Sequence, residues 1–397
     1  MADMTREEWL DKVKRTLAAD NEKAGKPYDA PIQGQDNVHP YLMPLCYRQI
    51  TGDMIRIFTS AVGDTNPLWT DEKYAARTCH KGIIAPPMCE VMIAETAPCP
   101  PPIEVPGVST LNGGSRREYF AHIRPGDSFT AKDVFLGNEE KSRPGKPYRL
   151  YRERGQREIY NQKGELVVRI TTTAMITARY PGDEAVKQEK KDFSNVKERF
   201  YSDEELEAIH AMYDDELAGK NRRGAETRYW EDVKAGDEIA PVALGPYDLS
   251  DAVSFFGVTG YSSAGASKWA SIRGSKEGCR RDPKTNEYSM VPMWHFDKDL
   301  ARIAGAPLAP IFGTQVEASL THAITNWMGD EGELLDFSTS IRKMSFMGDT
   351  LVCGGAVTGK RVENGEHLVD LEVAAKDQLT GVPSTTAKAV VRLSSRR

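Results

Sequence analysis

The residues best suited to proton chemistry lie in two short stretches. The first is Ala61-Val62-Gly63-Asp64-Thr65-Asn66-Pro67-Leu68-Trp69-Thr70-Asp71. A Gly-Asp turn runs there into Asn-Pro, itself a turn signal. Thr70 suits an N-cap, and Asp71 and Glu72 suit the positive end of a helix dipole. Asp64 and Asn66 are therefore expected on a short, stiff loop between helical pieces, where a carboxylate and a carboxamide can hold a water molecule. Asp and Asn in turns also commonly do no more than cap backbone groups. The second stretch is Trp294-His295-Phe296-Asp297-Lys298-Asp299-Leu300-Ala301, which follows the apolar run Met290 to Met293. An imidazole there could serve as a general acid or base, or could be a core histidine bonded to a nearby carbonyl or carboxylate.

Helical and strand patterns surround both stretches. Thr5 to Glu8 reads as a capping box, with Trp9, Leu10, Val13 and Leu17 at helical spacing behind it. Ile50 to Val62 is a helix that delivers the chain to the Gly63-Asp64 turn. Residues 98–106 are too rich in proline for a regular helix or a central strand. Phe129 to Phe135, Tyr148 to Tyr160 and the β-branched run Leu166 to Ile176 read as strands, with Asn161-Gln162-Lys163-Gly164 as a hairpin turn. Residues 181–224 are charged, yet Ser202 to Glu205 opens another capped helix with Leu206, Ile209, Tyr213 and Leu217 on one face. Its charges read as a solvated face.

The pattern then restarts. A capped helix begins at Leu249, Gly313 to Trp327 is a helix with Val316, Leu320, Ala323, Ile324 and Trp327 on one face, and strands follow at Leu351 to Gly359, His367 to Ala375 and Thr385 to Leu393. Met347-Gly348-Asp349-Thr350-Leu351 echoes Pro125-Gly126-Asp127-Ser128-Phe129. Repetition in matching order argues for duplicated domains: residues 1–180, a linker over 181–224, and residues 225–397 with an insertion at about 262–291.

Composition narrows the function classes. The net charge of -6 carries no nucleic-acid signature, and no apolar run reaches membrane length. The six cysteines include no C-x-x-C pair, which argues against a zinc site or a disulfide framework and suits a reducing cytoplasm. Besides His295, the chain holds His39, His80, His122, His210, His322 and His367, with no metal-like clustering in their spacing. Neither a metal nor a cofactor is expected.

The run G-D-T-N-P-L-W-T-D-E-K-Y-A resembles the G-D-x-N-P-x-H-x-D-x-x-x-A signature of the MaoC-like hydratases and dehydratases, and Lys81 to Met88 resembles the entry to that family's central helix. His295 and Asp297 to Ala301 resemble the end of the same signature in the second half, and Pro310-Ile311-Phe312-Gly313-Thr314 resembles its helix entry. The resemblance implies an α+β fold of two tandem hot-dog domains, each a long central helix wrapped by a curved antiparallel sheet, packed as a pseudo-dimer with continuous sheets and adjacent helices. It also implies reversible water addition to a 2-enoyl-CoA thioester, with Asp and His acting on a shared water and a glycine N–H facing the thioester oxygen.

Two departures matter. Trp69 stands at the histidine place and Pro87 at the glycine place of the first half, while Met290 stands at the aspartate place of the second. The candidate catalytic residues are thus His295, Asp64, Asn66, Gly313 and Asp282, with Glu287 or Asp64 as other possible acids for His295. Arg273, Lys276, Arg280 and Arg281 are candidates for CoA phosphates, with Arg116 and Arg117 as the alternative, and Trp69 and Trp294 as substrate contacts. A homodimer, or a hetero-oligomer with another MaoC-like chain, is expected. The alternatives are a degenerate subunit that binds acyl-CoA and completes a partner's site, or altered chemistry such as a thioesterase.

Overall fold

The computed structural model describes residues 4–32, 44–98, 105–183, 196–259, 279–282, 284–286 and 288–396. The helices, in chain order, are α1 (Arg6–Asn21), α2 (Gly52–Val62), α3 (Glu72–Ala75), α4 (Asp203–Leu217), α5 (Leu249–Val258), α6 (Lys298–Ile303) and α7 (Gly313–Met328). The strands are β1 (Pro27–Asp29), β2 (Val108–Tyr119), β3 (Phe129–Glu140), β4 (Arg149–Asn161), β5 (Leu166–Ala178), β6 (Glu238–Leu244), β7 (Cys279–Arg281), β8 (Tyr288–Met290), β9 (Glu333–Ile341), β10 (Leu351–Glu363), β11 (Glu366–Asp377) and β12 (Pro383–Arg392). Both capping boxes form, at Thr5 with Glu8 and at Ser202 with Glu205.

One ten-stranded sheet carries the fold, in the order β1-β3-β4-β5-β2-β9-β12-β11-β10-β6. The order reads alike from either end toward the β2–β9 junction, which is the continuous-sheet pseudo-dimer expected of paired hot-dogs. The repeated Gly-Asp turns also take one geometry. Gly126 and Gly348 both have positive φ, and Asp127 and Asp349 each accept a backbone N–H three residues back, from Arg124 and Phe346.

At the seam, β2 and β9 pair antiparallel with Arg117 opposite Phe337. Gly114 makes the approach possible: at φ +119° a Cβ there would lie 2.4 Å from the Thr339 carbonyl oxygen. Beneath the seam, the buried Arg117 guanidinium meets Glu90 and Glu317, each at 2.8 Å, and also donates to Ser115.

The halves differ in one major respect. In the second, α7 is the long central helix, buried at every residue from Thr314 to Met328. In the first, the helix entry at Lys81 to Met88 leads to no long helix among the described residues. Pro86 and Pro87 withhold two backbone donors, Met88 takes a left-handed conformation, and a short 3-10 turn over Cys89–Met92 follows before Pro98. This compact plug is buried as thoroughly as a helix would be. The apolar residues of α7 join the main core, while its Gln315 and Glu317 side chains bond to Ala61 and Arg117 of the first half. One helix therefore serves both halves.

Candidate functional site

Chemistry-bearing side chains gather at three places, two of them on α7. At its head, Phe312 is the N-cap residue and no side chain caps the helix. The first bonds inside the helix start at the N–H groups of Gln315 and Val316, both on the Phe312 carbonyl, so among the described residues the Gly313 N–H has no partner. His295, at the end of the 3-10 turn Val291–His295, lies against this point. Its ring stacks on Phe312 with centroids 3.9 Å apart, and its Nδ1 lies 2.7 Å from the Pro310 carbonyl oxygen. A carbonyl can only accept, so Nδ1 carries the proton and Nε2 the lone pair. Burial drives the His295 pKa down to about 4, against the pull of the Pro310 carbonyl. The imidazole is therefore neutral near pH 7. Trp294 packs edge-on against it at 5.3 Å.

The first stretch forms the second place, nine residues further along α7, or about 13 Å at the usual helical rise. Asp64 Oδ1 accepts the Asn66 N–H at 2.9 Å and Asn66 Oδ1 accepts the Leu68 N–H at 3.0 Å, so both side chains organise their own loop. Trp69, at the histidine place, donates its indole N–H to Asp64 Oδ2 at 2.9 Å. An indole is a donor only. It reproduces the hydrogen bond a histidine would make but cannot carry a proton between groups.

A histidine does reach Asp64, from the other half of the chain. His322 Nε2 lies 3.5 Å from Asp64 Oδ1 and 2.9 Å from Glu216 Oε1 of α4, the latter contact out of line for a hydrogen bond. Burial works against the imidazolium, yet the Asp64 and Glu216 carboxylates outweigh it and raise the His322 pKa above its ordinary value. Arg222 donates to the Thr65 carbonyl nearby. The linker charges are thus not simply a solvated face: Glu216 is buried in an ion cluster that ties linker, turn and α7 together.

A cavity of about 610 Å³ opens beside the seam and is the third place. Its walls include Asn66, Trp69, Pro87, Glu90, Tyr119 and Met328. Burial raises the Glu90 pKa against the pull of Arg117. His80, His122 and Glu333 also line the cavity, although their spacing in sequence showed no cluster.

The remaining candidates are dispersed. Asp282 Oδ1 accepts the N–H groups of Lys284 and Thr285 in its own turn, and Asp64 faces His322 rather than His295. Among the described residues His295 has no carboxylate partner. Arg273, Lys276 and Glu287 lie outside the described residues, and Arg280 and Arg281 fall on the short β7–β8 hairpin. Arg117 is fully buried and paired, which removes it as a phosphate contact, and Arg116 is held by Asp336. His322 and Glu216 were missed because each sits in a pattern with an ordinary explanation, a buried helix face and an acidic run.

Comparison with known proteins agrees with this architecture. Residues 45–170 match the family model described as FAS1-like, dehydratase domain region. No curated protein matches the sequence. Among solved structures, a MaoC-like dehydratase aligns with a TM-score of 0.58 at 18% identity, over 94% of this chain and 99% of its own. A MaoC domain dehydratase from Chloroflexus aurantiacus gives 0.55 at 14% identity, over 88% and 93%. A double hot-dog protein from Mycobacterium tuberculosis gives 0.52 at 16% identity, over 93% and 96%.

Proposed function

On a scaffold with the double hot-dog fold of the MaoC-like dehydratases, we propose that this chain is a hydratase or dehydratase of an acyl thioester, with its reacting centre at the head of α7. One observation carries the reading: a neutral imidazole with a free Nε2 lies beside the unpartnered N–H that opens a buried helix. In hydration, His295 Nε2 takes a proton from water as its oxygen bonds to C3 of a 2-enoyl thioester. The C2–C3 double bond breaks and its electrons move to the carbonyl oxygen. That enolate oxygen meets the Gly313 N–H, which the helix dipole strengthens. The imidazolium then returns its proton to C2. Dehydration is the reverse sequence. The thioester would be that of coenzyme A, and two chains would form the working dimer.

Trp69 favours a division of labour. With a donor-only ring at the histidine place and Pro87 at the glycine place, the first half lacks both the base and the oxyanion donor. Its cavity would then bind rather than react, and its volume falls in the roughly 300–1,000 Å³ range of small-molecule sites. The same observation supports a second reading, in which the chain binds an acyl thioester and completes a partner's centre. Crotonyl-CoA and bulkier enoyl-CoA esters, followed by loss of enoyl absorbance, separate the two. Turnover by the purified chain that falls about a hundredfold or more in His295→Ala supports the first reading. Inactivity rescued by a second hot-dog chain supports the other.

A further inference from the structure

We propose that His80, His122 and Glu333 form a binding site for a divalent transition-metal ion, of the zinc type, in the wall of the seam cavity. One ring nitrogen from each histidine and one Glu333 carboxylate oxygen lie within 4.8 Å of one another. The three come from separate parts of the fold: the turn after α3, the chain just past β2, and the first residue of β9. The group therefore exists only where the halves meet. This inference does not rest on the thioester reading.

The surroundings suit a cation. His80 Nε2 lies 2.7 Å from the Asp330 carbonyl oxygen, so Nε2 carries the proton and Nδ1 is left as a lone-pair donor. A ring N–H held by a backbone carbonyl is the usual outer support of a metal-bound histidine. Arg124 donates to the His80 carbonyl at 3.0 Å and fixes its backbone. His122 Nε2 lies 3.1 Å from Glu333 Oε1.

A second observation points the same way. Asp330 lines the same cavity, is 4% exposed, and its Oδ1 has no hydrogen-bond partner among the described residues. Its Oδ2 accepts the Tyr74 hydroxyl at 2.6 Å and Arg222 lies near, so the unbonded Oδ1 adds partial negative charge to the cavity wall without joining the three donors. Arg124, Arg222 and Arg392 oppose a cation here, while Asp330, Glu331 and Glu333 favour it.

Two neutral imidazoles and one carboxylate make a borderline donor set with room for water or ligand at the open positions. Metal–donor bonds of about 2.0–2.2 Å place neighbouring donors roughly 3.3 Å apart in a tetrahedral shell. The side chains of His122 and Glu333 are about a third exposed, at 32% and 28%, and can rotate to close the difference.

The test uses the full chain, stripped with a chelator and titrated with Zn²⁺ alone by calorimetry, with Co²⁺ absorption reporting the ligand set. One equivalent per chain is expected. His122→Ala and Glu333→Gln should each weaken it at least about tenfold, and the exposed His210→Ala should leave it unchanged. Cys79→Ser controls for a surface thiolate. Absence of stoichiometric binding, binding equal in both variants and wild type, or loss only in Cys79→Ser each overturns the proposal.

Discussion

Gly313→Pro isolates the proposed oxyanion donor with little other change. Gly313 is the first residue of α7, and its N–H makes no bond inside the helix. Proline is well accepted at this position because the donor it removes is already unpaired and its fixed φ suits a helix start. The residue before it must be extended, and Phe312 already is, at φ -62° and ψ 121°. The added Cβ would lie 3.0 Å from Ile341 Cδ1, the end of a flexible side chain, and 3.7 Å from Asn112 Nδ2. Gly313→Ala makes the same Cβ contact but keeps the N–H, so the pair separates crowding from the lost donor. Loss of one such donor costs about 10²–10³ in kcat, or about 2.7–4 kcal/mol of transition-state stabilisation. The assay is steady-state hydration of the best enoyl-CoA, with Tm measured for both variants. If Gly313→Pro turns over as fast as Gly313→Ala, the N–H does not serve the reaction and the assignment falls.

Other expectations follow from the same geometry. His295 is held near pKa 4, well below its ordinary value, so the unfolded chain takes up its proton first as pH falls. Its contribution should lower native stability between about pH 6.5 and pH 4, and His295→Asn should flatten that slope in urea titrations. His322 is raised instead, so its contribution is complete below about pH 6.5 and is lost as pH rises through the folded value. His322→Ala leaves Asp64 and Glu216 buried without their cation and should cost about 3–5 kcal/mol, read by chemical denaturation near pH 6; a loss under about 1 kcal/mol would rule out the ion cluster as a lock. Trp69→Phe removes the indole N–H that donates to Asp64 and should cost about 1–3 kcal/mol while leaving kcat nearly unchanged. A large drop in kcat with intact stability would move the reacting centre to the first half. Light scattering over a dilution series should give a dimer mass.

Much of the fold was legible because its signals are local. The capping boxes at Thr5 and Ser202, the turn at Asn161 to Gly164 and the β-branched run at Leu166 give their elements without reference to distant contacts. The two Gly-Asp turns disclosed the duplication. The seam strands were harder. β2 carries Gly113, Gly114 and two arginines in its middle, and its pattern makes sense only when β9 and α7 lie against it. The absence, among the described residues, of a first central helix was hidden by a family-like entry, although Pro87 and Pro98 leave an interval too short for a helix of the 16 residues of α7. At the sites, His295 and Gly313 were readable as a spacing, whereas His322 with Asp64 and Glu216, or His80 with Glu333, are meetings of distant segments.

The sharing of α7 by both halves sets an order of events during synthesis. When the ribosome has completed β5, the first half has its strands and α1 packed on Tyr151, Ile176 and Ala178, but among the described residues no long central helix follows the entry at Lys81 to Met88. The open edge of β2 and the Arg117 guanidinium await Glu317, Phe337 and Asp336, which emerge some two hundred residues later. An unpaired strand edge beside uncovered apolar surface is a typical starting point for aggregation. The nascent first half is thus a natural client for a chaperone until β9 arrives. A ribosome-stalled chain ending before Gly313 should be degraded by protease at rates near those of an unfolded segment, and one extended past Ile341, with the exit tunnel cleared, should resist it.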